Sequence, residues 1–297
     1  MNPLEHIHSN TTCDLCGAVI SAHGESVVFG EQTLLGVSVN LSTVVCRKCR
    51  FVFQPEQFTE KILAALYEKD TSFAFGEDRE DIELINSGLI ERQAVISRAM
   101  REHGIADGAS VLDVGGGRGE CCQHLVPFHR VVVADTTDVA PIDPRIEKIS
   151  GLFSESLWKS TFDVVVMNHV LEHVYSPTEL LVSAHDALKI GGILVVEVPF
   201  ELYTPLIFRH LGDWRHVAYF CRTTLRQFLE KTGFNVEKLK LQEGSYGARR
   251  LPVIRAVARK EVRSTQNSGR NSLFVLVADM ISPVVLNSLL KRIVTRI

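Results

Sequence analysis

The chain has no excess of basic charge. Its 32 Lys and Arg face 35 Asp and Glu, a net charge of −3, which gives no general attraction to phosphate backbones. No apolar run is long enough to span a bilayer. The longest uncharged run of the hydrophobic tail, Met280–Leu290, has 11 residues and contains Pro283, against the ~20 that a span requires. Met1–Asn10 is polar and does not read as a secretory signal. No Gly-Lys-Ser/Thr follows a glycine-rich loop, which excludes a phosphate-cradling P-loop. A disulfide framework is also missing. Seven cysteines are an odd number, and four of them fall in two Cys-x-x-Cys pairs, which points to metal binding in a reducing compartment.

What is present centres on Val111–Glu120, VLDVGGGRGE. Val111, Leu112 and Val114 read as a buried strand, Gly115-Gly116-Gly117 breaks it, and Glu120–Val126 reads as a helix up to Pro127. Glycines between a strand and a helix let backbone approach a ligand closely. The dinucleotide fingerprint would need a glycine at position 120, which is Glu. The pattern that does stand here is Asp113-x-Gly115-x-Gly117-x-Gly119.

Val131–Ala134 reads as a second buried strand ending in Asp135. That residue lies 22 positions beyond Asp113, close to the ~20-residue offset at which a carboxylate meets ribose hydroxyls. Phe162–Met167 and Gly192–Val198 read as further strands. A helix over Pro177–Lys189 lies between them, closed by Gly191-Gly192. Asn235–Gln242 and Leu251–Ala258 read as closing strands. Alternating strands and helices predict a Rossmann-like α/β sheet with helices on both faces, binding ligands at the carboxyl ends of its strands. That edge would collect Asp113–Gly119, Asp135 and Asn168–His173.

These residues resemble motif I and the following segments of the class I S-adenosylmethionine-dependent methyltransferases. The resemblance implies a cofactor site formed by Asp113, Gly115, Gly117, Gly119, Asp135, Asn168 and His169, with Phe153 beside the adenine.

Ahead of this lie Cys13-Asp14-Leu15-Cys16 and Cys46-Arg47-Lys48-Cys49, separated by 29 residues. Four thiolates satisfy a tetrahedral zinc ion and leave no open position, so the predicted role is structural. His6, His8 and His23 are not needed as ligands. The β-branched stretches Ala18–Phe29 and Thr33–Val45 suit a zinc ribbon. With this ribbon the chain is similar to sugar C-methyltransferases over roughly Thr12–Lys260. The similarity implies active-site roles for His173 and His216, with His216 as general base. In those enzymes a Glu precedes that histidine; here Arg215 does. Phe73 and Phe75 replace the lid tyrosines. These departures leave O- or N-methylation open.

His169 and His173 stand one above the other if their turn is helical, with Glu172 able to orient a ring. The letters His169-x-x-Glu172-His173 also match an inverted zincin pattern. A third ligand would be needed, and the surrounding sheet pattern argues against that reading.

The predicted organisation is a zinc ribbon over 1–58, a helical connector and lid over 59–110, the S-adenosylmethionine-binding domain over 111–262, and a linker with an apolar helix over 263–297. The predicted activity is methyl transfer to a small acceptor, a sugar or sugar nucleotide, in the cytoplasm. The tail 273–297 offers a contact with a subunit or with the inner face of the membrane. Two alternatives remain open at this level. One is an RNA methyltransferase using Arg47, Lys48 and Arg50, against which the net acidity counts. The other is a non-catalytic, cofactor-binding scaffold of a surface-polysaccharide assembly.

Overall fold

The structure, a computed structural model, describes residues 7–20, 26–59, 62–63, 66, 79–151, 153, 158–202, 214–246 and 249–261. Phe73, Phe75, His6, His23, the linker and the apolar tail lie outside the described residues, as do residues 60–61, 64–65 and 67–78 of the connector. The His8 side chain is likewise outside.

The first strands are β1 (Ile7–Ser9), β2 (Ser26–Leu34), β3 (Val37–Val45), β4 (Val52–Phe53) and β5 (Glu56–Phe58). Helix α1 (Arg79–Glu102) leads to β6 (Ser110–Val114), β7 (Arg130–Asp135), β8 (Glu147–Ser150) and β9 (Phe162–Asn168). Then come α2 (Pro177–Ala187), β10 (Leu188–Pro199), β11 (Ala218–Tyr219), α3 (Arg222–Lys231), β12 (Phe234–Tyr246) and β13 (Arg249–Lys260).

Seven strands make the main sheet, in the order β12-β13-β10-β9-β6-β7-β8. Strands β8, β7, β6, β9 and β10 run parallel, and β13 returns antiparallel to β10. This is the predicted Rossmann-like sheet. Successive side chains on a strand face opposite ways, and the strands divide their residues accordingly. Leu112, Val114, Val132, Val165, Met167 and Leu194 pack on one face with Leu181 of α2 and Leu225 and Phe228 of α3. Val111, Val131, Val133, Val164, Val166 and Ile193 pack on the other with Ile96, Ala99 and Met100 of α1.

Two boundaries differ from expectation. Residues 120–126 form turns and a 3₁₀ segment, Gln123–Leu125, instead of an α-helix. A seven-residue segment stopped by Pro127 is too short to nucleate an α-helix on its own. Three-residue spacing also buries Cys122 and Leu125 on the same side. Helix α2 ends at Ala187 rather than Lys189, because Leu188 turns extended and pairs with Phe162.

The smaller sheet has the order β11-β4-β3-β2, so a strand from beyond residue 214 completes the N-terminal one. Ala218 pairs with Phe53 and Tyr219 with Val52. Gln54 and Phe58, near the end of the predicted ribbon, are buried, and the Phe58 amide donates to the Tyr175 hydroxyl. Among the described residues, no helix is long and apolar enough to cross a membrane.

Candidate active site

Chain order reverses direction in the main sheet between β6 and β9. In open α/β sheets ligands bind outside the carboxyl ends of the strands at such a point. Two segments leave there: the glycine loop 115–119 after β6, and the turn 168–173 after β9. They touch. A methyl group on Gly115, whose φ is +65°, would stand 2.7 Å from a Val170 methyl. One on Gly116 would stand 2.5 Å from an Asp113 carboxylate oxygen. Asp113 is thus folded under the loop, 1% exposed. Burial, with the charges of Glu120 and Asp135 nearby, pushes its carboxyl up to about 7.

Asp135 ends β7 and takes part in holding the loop. Its carboxylate accepts from the Gly117 amide (2.8 Å) and from the amide and hydroxyl of Thr137. Lys148 donates to the Gly117 carbonyl (2.8 Å) from the next strand. Gly119 is buried against Ile146 and Val133, so it packs the loop onto the sheet. Phe153 is half-buried against the same core as the helices α2 and α3. Asn168 closes β9 with a buried amide nitrogen, and one Asp113 carboxylate oxygen is buried as well. Neither atom has a hydrogen-bond partner in the structure.

The turn after β9 differs from the stacked histidines that a helix would give. His169 has φ +54°, a conformation that costs a non-glycine residue energy. The chain then makes a single 3₁₀ turn, Leu171–His173. The two rings diverge as a result. His169 bridges two carboxylates, with Nδ1 3.1 Å from Glu172 and Nε2 2.9 Å from Glu197. Burial works against its charged form, yet these two bonds carry it above its usual range. Glu197 also takes Arg92 of α1 at 2.8 Å and Arg255 of β13. Burial would raise the Glu197 carboxyl, but His169, Arg92 and Arg255 together hold it well below the normal carboxylate range. This ion cluster is a rigid support beneath the turn.

His173 faces elsewhere. Its Nδ1 donates to the Arg215 carbonyl at 2.7 Å, and its ring meets that of His216 edge to face, centroids 4.7 Å apart. Burial pulls His173 below its usual value, against the opposing pull of Glu172. His216 is 4% exposed and donates Nδ1–H to Glu201 at 2.7 Å. The carboxylate missing from the position before His216 is therefore supplied by Glu201, just past β10. Glu197, Glu201 and Arg92 were not singled out in the sequence. A buried Glu at the end of an apolar strand, as in Val-Glu-Val-Pro-Phe-Glu, is the signal that could have found two of them.

The four ribbon cysteines converge. Cys13 and Cys49 sulfurs stand 3.5 Å apart, Cys16 and Cys46 3.6 Å, and all four lie within 4.8 Å of one another. Each pair sits on the same backbone turn, with Gly17 donating to the Cys13 carbonyl and Arg50 to that of Cys46. The knuckle is tied to the main sheet's helices. Asp14 accepts from the Thr178 amide (2.9 Å) and the Ser176 hydroxyl at the start of α2, and Lys231 of α3 donates to its carbonyl.

The sequence profile of the methyltransferase-domain family matches residues 79–239, more than half of the chain. The chain belongs to the methyltransferase family. The mitochondrial ubiquinone biosynthesis O-methyltransferase of Schizosaccharomyces pombe is 30% identical over 130 residues, 39% of this chain and 46% of that protein. The chain thus spans under half the length of this curated relative. Among solved structures, the Burkholderia thailandensis 1,6-didemethyltoxoflavin-N1-methyltransferase, with bound 1,6-didemethyltoxoflavin and S-adenosylhomocysteine, superposes with a TM-score of 0.52. It is 18% identical and covers 80% of this chain and 99% of its own; it shares the fold.

Class I methyltransferases use S-adenosylmethionine, whose sulfonium supplies an already activated methyl group. The residues suit it. Asp113 offers a buried acceptor and Asn168 a buried donor, both unpaired, on neighbouring strand ends. Gly115 and Gly116 let the loop lie directly on Val170 and Asp113, where any side chain would clash. The ribbon suits zinc equally. Sulfurs bound to one tetrahedral ion at ~2.3 Å stand a little under ~4 Å apart. Without a cation the four thiols cannot all ionise. Cys13 falls to about 6 through its bond to Cys49, while burial drives Cys16 up to about 11 and the bond to Cys13 drives Cys49 higher still.

Proposed function

We propose that this methyltransferase acts on a small-molecule acceptor, a sugar or nucleotide sugar, with His216 removing the acceptor's proton. The observation that carries this reading is the Glu201–His216 pair. A carboxylate fixes one ring nitrogen as a donor and turns the other towards the acceptor as a base. The pair sits beside His173, whose turn follows β9. The sugar assignment is supported by the resemblance to zinc-bearing sugar C-methyltransferases.

In this reading Asp113, Gly115, Gly117, Gly119, Asp135, Phe153, Asn168 and His169 shape the cofactor side, His169 acting through the ion cluster. Cys13, Cys16, Cys46 and Cys49 hold a structural zinc within a ribbon over 1–58. The connector 59–110, the catalytic domain 111–262 and the tail 263–297 follow. Positioning and exclusion of water do most of the work, because the methyl donor needs no activation.

The test is a screen of nucleotide sugars with the labelled methyl donor, comparing wild type with His216→Asn. Label transfer that falls ~10²–10⁴-fold in the variant supports the reading. Transfer that persists in His216→Asn removes His216 as the base. Failure of S-adenosylmethionine to bind the folded chain overturns the activity itself.

A further inference from the structure

The inverted zincin letters at His169–His173 found no place in that reading. The fold separates their members, because His169 turns away to Glu197. It also supplies a third ligand that the letters lack. Glu172, His173 and His216 each offer one ligand atom, and these atoms lie within 4.8 Å of one another.

We propose that Glu172, His173 and His216 bind one divalent transition-metal ion on the acceptor side of the active site. Both imidazoles carry the outer support typical of metal-ligating histidines, an acceptor on Nδ1. For His173 it is the Arg215 carbonyl, and for His216 the Glu201 carboxylate, each at 2.7 Å. With Nδ1 so engaged, ligation on each ring would fall to Nε2. Glu172 is 1% exposed; one oxygen takes the His169 Nδ1 hydrogen at 3.1 Å, and the other is buried without a partner. A buried carboxylate oxygen lacking a donor is costly, and a cation would satisfy it.

Two imidazoles and one carboxylate are a ligand set of open catalytic sites for zinc and iron-type ions. Ligands sharing an ion with bonds of ~2.0–2.2 Å stand about 3–4 Å apart. The remaining coordination positions are open to a hydroxyl oxygen of the acceptor. The ion lowers that hydroxyl's pKa, so that its proton passes to solvent. The inference rests on the acceptor-side reading of this corner and changes its agent: the cation, in place of His216, takes up the developing negative charge.

The test needs no acceptor. The full chain is stripped with a chelator, one equivalent of zinc is restored for the four thiolates, and Co²⁺ is then titrated while absorption is followed. S-adenosylhomocysteine affinity serves as the check on folding. The expected result is one equivalent of Co²⁺ with weak nitrogen–oxygen ligand-field bands and no thiolate charge transfer. Glu172→Gln and His173→Gln should each weaken it by at least ~10-fold with S-adenosylhomocysteine binding retained. Glu201→Gln should weaken it by ~10–100-fold through the support of His216. Absence of the second equivalent, or its survival in both ligand variants, overturns the proposal and leaves the His216 base standing alone. Loss of S-adenosylhomocysteine binding by folded wild type would instead count against the function, independently of the Co²⁺ result.

Discussion

Two side-chain clusters in this chain invite comparison, the four thiols of the ribbon and the Glu–His corner of the proposed active site. Both are compact, with ligand atoms within the same 4.8 Å spread. They differ in how they are made. The thiols come from two copies of one local turn, each closed by its own backbone hydrogen bond. The corner is assembled from the turn after β9, the segment past β10 and the approach to β11. A set of four thiolates would saturate a tetrahedral ion, so the role proposed for it is in folding. The corner leaves a buried Glu172 oxygen without a hydrogen-bond partner, and the role proposed for it is directed at a ligand. The two are joined through β4, which follows the second knuckle and pairs with β11, just beyond His216. The Gln54 amide also donates to the Val217 carbonyl.

The comparison breaks most readily at the thiols. Replacing Cys46 and Cys49 together by Ser should abolish zinc retention and remove metal-coupled folding free energy on the order of 10 kcal/mol. Thermal unfolding and metal content would show it. A double variant that melts like wild type would mean that the thiols are not a folding centre. The corner should behave in the opposite sense. Glu201→Gln should cut turnover ~10²-fold or more on an acceptor found by the screen, with a melting temperature near that of wild type. A large loss of stability there would make Glu201 structural and erase the contrast.

Asp113, on the proposed cofactor side, sharpens the difference further, because burying its carboxylate costs folding energy. Its carboxyl stands at about 7 in the folded chain, against an unfolded value near ~3.9. The folded state therefore binds the extra proton between these values, and apo stability falls as pH rises from about 4 to about 7. Asp113→Asn should flatten that slope and stabilise the apo protein at pH 8, by on the order of 2–4 kcal/mol. The same change should weaken S-adenosylmethionine binding in calorimetry. Asp135→Ala should weaken it ~10–100-fold by freeing the glycine loop. The smallest effect is expected at the junction. Asp14→Ala removes the acceptor at the start of α2 and should cost about 1 kcal/mol in thermal unfolding, with zinc retained.

Features legible in the sequence are those whose cause is local. The strands of the main sheet follow from short apolar runs, and the glycine loop follows from its spacing. The knuckles follow from paired cysteines. Of the boundaries that differed, the short segment 120–126 ahead of Pro127 was readable as too brief for an α-helix, whereas the end of α2 was decided by the pairing of Leu188 with Phe162, which no window of sequence reports. The active-site corner was half legible. His173 and His216 stand out by resemblance, but their edge-to-face contact depends on the left-handed backbone at His169. Glu201 stands 15 positions before the ring that it orients. Glu197 and Arg92 acquire meaning only when β10 and α1 meet.

The pairing of Val52 with Tyr219 also has a consequence for biosynthesis. A ribosome adding ~5–20 residues per second delivers β11 on the order of ten to thirty seconds after β4. For that interval Phe51 and Phe53, which end up packed with Phe220 and Phe228, have no partner to cover them. The nascent ribbon thus waits with an open strand edge and exposed rings, and needs either early metal capture or a chaperone to reach β11 unaggregated.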